Sequence, residues 1–191
     1  MQGLDAIALP VLQPRPDDAG GMRLERRPRS RGILGQAIRG VLAGAAAAWL
    51  MDQVTTGLLD QQSRDDTERE EAARPNGKGS TANLVDRLSE VAGADPDPET
   101  RSRLASLAHY GLGIAPAAAY AVLRRRIPIV GAGGGLLYGI GLWALNDEYL
   151  NAALGLAGPW GAYPVASHWR GFVGHVVLGI ATDSGLDALG A

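Results

Sequence analysis

The charges of this chain are segregated, and that limits its folds more than any motif does. From Gly40 to Leu59 the sequence runs for 20 residues with one charge, Asp52. Leu104 to Leu123 carries no formal charge and one histidine, His109, and Ile127 to Leu145 is uncharged throughout. At about 1.5 Å of rise per residue, helices of these lengths match the hydrocarbon core of a bilayer. Charged residues crowd instead into residues 1–31 and 60–103. The pattern predicts an all-α fold: an integral membrane four-helix bundle spanning residues 32–191. The expected spans are about 35–59, 102–123, 127–147 and 165–184, the last of them containing Arg170.

The flanking segments assign an orientation. Residues 1–31 contain Pro10, Pro14, Pro16, Gly20, Gly21 and Pro28 and read as a disordered tail. The tail ends in a basic cluster, Arg23, Arg26, Arg27, Arg29 and Arg31. Arg124, Arg125 and Arg126 form a second basic cluster after the second span. Positive residues favour the cytoplasmic side, so both termini are expected there, in a bacterial inner membrane. The acidic polar loop 60–100 and the Trp160-containing connector then face outward. Within the loop, Thr81 to Val91 sets Leu84, Val85, Leu88 and Val91 on one helical side, a short amphipathic helix lying along the surface. Asp97 followed by Pro98 predicts a helix start. Arg26-Arg27 before an apolar run ending in Ala45 to Ala48 offers a competing reading, a twin-arginine export signal, which Gln36 and Arg39 interrupt.

Small residues predict how the spans meet. Gly40 and Gly44 form a small-xxx-small pair, and Gly131, Gly135 and Gly139 fall on one helical stripe suited to a neighbouring helix within the chain or in a homo-oligomer. The last span repeats Gly171, His175, Gly179 and Asp183 every four residues.

Composition removes several chemistries. A net charge of −2 and the lack of any basic, aromatic-interleaved segment exclude a nucleic-acid partner, leaving the lipid bilayer as the expected one. Without cysteine there is no disulfide, thiolate nucleophile or thiolate metal site. No Gly-x-Ser-x-Gly, His-Glu-x-x-His or dinucleotide fingerprint is present, so nothing supports an enzyme.

The candidate site follows from depth. Counting along each span under this topology brings His109, His168 and His175 into the outer leaflet, together with Asp52 and with Glu148 at the rim. Ionisable groups inside a membrane face the bundle interior and take partners. His175 is therefore expected to approach Asp52 or His109 across the bundle. Two functions suit such a centre: a His/carboxylate metal site for a divalent transition metal such as zinc, iron, manganese or copper, or a proton or small-solute path. A structural scaffold or accessory subunit competes with both, and a membrane-embedded metal enzyme stands third. Arg170 is expected to snorkel or to pair with an acid.

The order of Asp52 in a glycine-rich first span, His109-Tyr110-Gly111, Gly135 to Trp143 and Gly174-His175 resembles the YagU-like family of bacterial inner-membrane proteins. The resemblance implies a small inner-membrane protein without an assigned activity. The long acidic insertion after the first span, the arginine-rich tail and Arg170 depart from that pattern.

Overall fold

A computed structural model describes residues 32–191, so the tail 1–31 and the reading of its disorder lie outside the described residues. The order is α1 (Ile33–Leu59), α2 (Arg64–Ala73), a 3-10 turn (Pro75–Gly77), α3 (Ser80–Ala92), α4 (Pro98–Leu123), α5 (Leu136–Leu142), a π segment (Trp143–Leu150), α6 (Asn151–Ala153), a second 3-10 turn (Trp160–Ala162) and α7 (Val165–Ala188). Among the described residues there is no strand, and the fold is all-α. Two helices, α1 and α4, are long and apolar enough to cross a membrane.

Helix α1 is the centre of the packing, with α4 against one side, α7 against another, and α5 laid on α7. Its small residues explain the position. A β-carbon on Gly40 would lie 2.6 Å from the Ala117 carbonyl oxygen, and one on Gly44 would lie 2.5 Å from the Ala117 methyl. The Gly40/Gly44 pair thus lets two backbones approach at a distance no larger residue permits. On the α7 side, Gly174 meets Thr55 and Gly185 meets Ala43 in the same way. Large apolar side chains point outward: Leu34, Leu42, Trp49 and Leu107 are all exposed.

Helix α4 starts where the sequence places it. The Asp97 carboxylate accepts from the amides of Glu99 and Thr100, both at 3.0 Å, which satisfies donors that a helix N-terminus otherwise leaves free.

The third expected span, 127–147, needs correction. Residues 127–135 form turns, and the helix begins only at Leu136. Gly133, Gly134 and Gly135 have φ of 73°, 59° and 87°, a run of left-handed backbone incompatible with a right-handed helix. Gly131, Gly135 and Gly139 are therefore not one helical stripe. Gly131 abuts the Arg124 carbonyl, whereas Gly135 and Gly139 press on α7, where a methyl group on either would overlap the carbonyl oxygens of Gly179 and His175. The helical run then continues through the π segment to Ala153, so Asn146, Asp147 and Glu148 lie inside it rather than closing it.

The polar loop is more ordered than expected. α3 matches the amphipathic segment and ends on Gly93 in the left-handed conformation. α2 was not anticipated; Ser63 caps it by accepting from the Asp66 amide.

Candidate functional site

Beside the C-terminal half of α1, the middle of α4 and the first half of α7, the packed helices line a half-open cavity of about 320 Å³. His109, His168, His175 and Glu148 all line it, so four of the five residues selected from the sequence meet at one space. Asp52 is held at its edge through His109.

The π segment sets one wall. Its wider turn brings Asn146, Asp147 and Glu148, consecutive in the sequence, all to the cavity. In a regular α-helix successive side chains diverge by about 100°, and three in a row do not share a face.

The histidines occupy three different environments. His168 is 16% exposed at its side chain and sits between acceptors: its Nδ1 is 2.8 Å from Glu148 and its Nε2 is 3.1 Å from the Trp160 carbonyl. A carbonyl oxygen only accepts, so Nε2 carries a hydrogen. The Nδ1 bond to a carboxyl oxygen then needs a second hydrogen, on the ring or on Glu148. Trp160 lies against the ring at 4.7 Å between centroids and Tyr163 meets it edge-on at 6.3 Å.

His175 is different. It is buried, at 6% side-chain exposure, and its Nδ1 donates to the Gly171 carbonyl at 3.0 Å. Asp147 is its nearest carboxylate, 3.6 Å from the same nitrogen and so beyond a hydrogen bond. The partner expected from the sequence, Asp52 or His109, is not the one found. Asp52 is instead bound by His109 Nε2 at 2.9 Å and by the Tyr110 hydroxyl at 2.8 Å. That pair is the most exposed, with 44% of the His109 side chain open.

Glu70, from α2, roofs the cavity and is the residue that sequence reasoning missed. It is buried, and it accepts from Arg170 at 2.7 Å, Arg74 at 2.7 Å, Ser167 at 2.6 Å and Gln62 at 3.1 Å. Burial alone would raise its pKa, but the donors, led by Arg170, outweigh that and hold it at about 2, below the ordinary 4.5. Arg170 therefore pairs with an acid, as one of the two expected alternatives had it. Asn83 fastens the same roof by donating to the carbonyls of Pro75, Lys78 and Leu156. A periodic pattern would not have found Glu70, because α2 is polar on all sides and its one buried side chain is a charged one.

Known proteins offer no guide. No family model, curated protein or solved structure matches the chain.

The metal reading meets a geometric obstacle. The ligands are distributed as His109 with Asp52, His168 with Glu148 and His175 near Asp147, and no three His, Asp or Glu side chains among the described residues are grouped to hold one ion. A transition-metal site of imidazole and carboxylate needs three or four such donors.

At the opposite end of the bundle lies a second polar cluster. Arg124 is buried and reaches Asp183 at 2.6 Å, Asp187 at 2.8 Å and the Ala191 carbonyl at 2.7 Å, while the Tyr120 hydroxyl donates to Asp183 at 2.7 Å.

Proposed function

We propose that the chain is a multi-span inner-membrane protein, with both termini cytoplasmic, whose cavity is a proton-responsive site for transport or sensing of a small solute. The membrane assignment rests on the apolar α1 and α4, on the leucines and Trp49 that they turn outward, and on the Arg124–Arg126 cluster, whose side is read as cytoplasmic. The single observation that carries the functional reading is His175, a buried imidazole lining the cavity with one nitrogen committed to the backbone. Its other nitrogen has no protein partner among the described residues. Imidazole is the side chain whose charge changes most readily in the physiological range, so uptake of a proton at this nitrogen alters the charge of the cavity.

The groups around His175 decide what that proton does. Asp147 and Glu148 face the same space from the π segment, His109 from α4 with Asp52 bound behind it, and Glu70, His168 and Arg170 from the roof and α7. Glu148, Asp52 and Glu70 are each committed to a cation or a donor. Among the described residues Asp147 accepts only from Asn146, at 2.8 Å, and is the carboxylate that a proton on His175 would address.

Reconstituted vesicles test the reading. A pH jump should drive proton flux in the intact protein, and His175→Gln should reduce it by about tenfold or more, on the scale of removing a positioned acid–base group. Equal flux in both would overturn the proposal. Loss of folding stability with flux unchanged would leave the scaffold reading. Reporter fusions at residues 75 and 126 test the orientation, and a cytoplasmic signal from residue 75 would reverse it.

A further inference from the structure

We infer that the solute this cavity takes is a small primary ammonium ion, held between Asp147 and the free nitrogen of His175. The inference rests on the reading of the cavity as a solute site and names its ligand class.

Unspent hydrogen-bonding capacity picks out the place. In the lining, both nitrogens of His168 are occupied, Glu148 is paired with it, and Glu70 binds two guanidiniums. Beside Gly171 the account does not close. Asp147 has one oxygen engaged by Asn146, and its Oδ2 faces a histidine nitrogen whose hydrogen is directed at a carbonyl. His175 is more than nine-tenths buried, and its Nε2 has no protein partner among the described residues. Asp147 and His175 both line the cavity, so an unengaged carboxylate oxygen and an unengaged imidazole nitrogen belong to one lining, and the buried Trp143 Nε1–H beside Gly171 is unpartnered with them. Gly171 keeps that space open, since a β-carbon there would lie 3.2 Å from Trp143 Nε1 and 3.8 Å from Asp147 Oδ2.

The pair of acceptors discriminates among cations. Alkali ions and magnesium select oxygen ligands, and an imidazole nitrogen is a poor one for them. A transition metal binds imidazole but requires more donors than are grouped here. A primary ammonium ion supplies three N–H donors and a positive charge, so it satisfies both acceptors and balances Asp147 through charge-assisted hydrogen bonds. Proton and ammonium then compete for the same two atoms, which links binding to pH without a second site.

Calorimetric titration of the full chain in detergent tests this, with methylammonium chloride at about pH 7, where an alkylammonium stays charged. Methylammonium should bind about tenfold or more tightly than potassium or tetramethylammonium, which carries the charge without an N–H donor. Asp147→Asn should weaken methylammonium by about tenfold or more with helical content intact, and Asp147→Glu should recover part of the loss. Equal binding of methylammonium and tetramethylammonium, absence of methylammonium binding, or unchanged binding in a folded Asp147→Asn protein would each overturn the inference. The comparison among the three cations on the unaltered chain holds even where a variant does not fold. Absence of methylammonium binding with proton flux intact would refute the ammonium ligand alone, whereas loss of both would refute the solute site as well.

Discussion

The two ends of the bundle bury similar chemistry to opposite effect. At one end Arg124 reaches two carboxylates and a backbone carbonyl, and the Tyr120 hydroxyl donates to Asp183. At the other, three histidines and their carboxylates surround an open volume of about 320 Å³ and leave Asp147 and His175 incompletely paired. Charge alone does not mark a site. Buried charge that is paired across helices is a fastening, whereas buried charge bordering a cavity with spare acceptors is what the proposed site requires.

Arg124→Ala should separate these ends most sharply. Removing the arginine strands Asp183, whose side chain is 14% exposed, and the expected loss is ~3–5 kcal/mol in unfolding measured in detergent. Methylammonium binding at the far end should persist below the new melting point. A variant that loses binding in proportion to stability would break the distinction.

Gly135→Ala comes next and sits at the seam between α5 and α7. It combines a left-handed φ of 87° with a methyl driven into the Gly179 carbonyl, so the cost should be about 1–3 kcal/mol and exceed that of Leu136→Ala. The opposite ranking would mean that α5 and α7 do not touch there.

Glu70→Gln should cost about 1–3 kcal/mol by leaving Arg170 and Arg74 without their shared carboxylate. Acid should act the same way on the unaltered protein. Because the folded pKa of Glu70 lies at about 2 and the ordinary value is 4.5, its contribution is complete above pH 4.5 and is lost as pH falls toward 2. Thermal melts across that window should descend more steeply for the native chain than for Glu70→Gln. Parallel curves would remove Glu70 as the fastener of the roof.

His109→Ala should have the smallest effect, about 0–1 kcal/mol, since its pair with Asp52 is substantially exposed. A larger loss would place His109 in the same class as Arg124.

Local chemistry was legible in the sequence and distant pairing was not. The Asp97 cap depends on its next three residues, and the Gly40/Gly44 contact needs only that some helix be close, so both follow from spacing. Counting along helices also put His109, His168 and His175 near one another, and the three line one cavity. Their partners were another matter. Arg170 meets Glu70 across 100 positions, and no pattern in either segment specifies the other. The third span was misplaced because an apolar window reports burial or lipid contact, not conformation. Turns rich in glycine satisfy hydropathy as well as a helix does, and the left-handed run at Gly133 to Gly135 leaves no mark on it. Asp147 was read as a boundary, since a charge after an uncharged window ordinarily ends a span. The π turn keeps it inside.

That turn also resembles a screw whose thread changes pitch partway along. Before Trp143 the thread is cut to match α7, with Gly139 seated on the His175 carbonyl; after it, the thread presents Asn146, Asp147 and Glu148 to the cavity. A uniform thread would tie the two phases together, so that any rotation improving the seam would carry the carboxylates off their wall. The change of pitch resets the phase between the two faces, so one continuous helical run seats its glycine on α7 and still presents three consecutive polar side chains to the cavity.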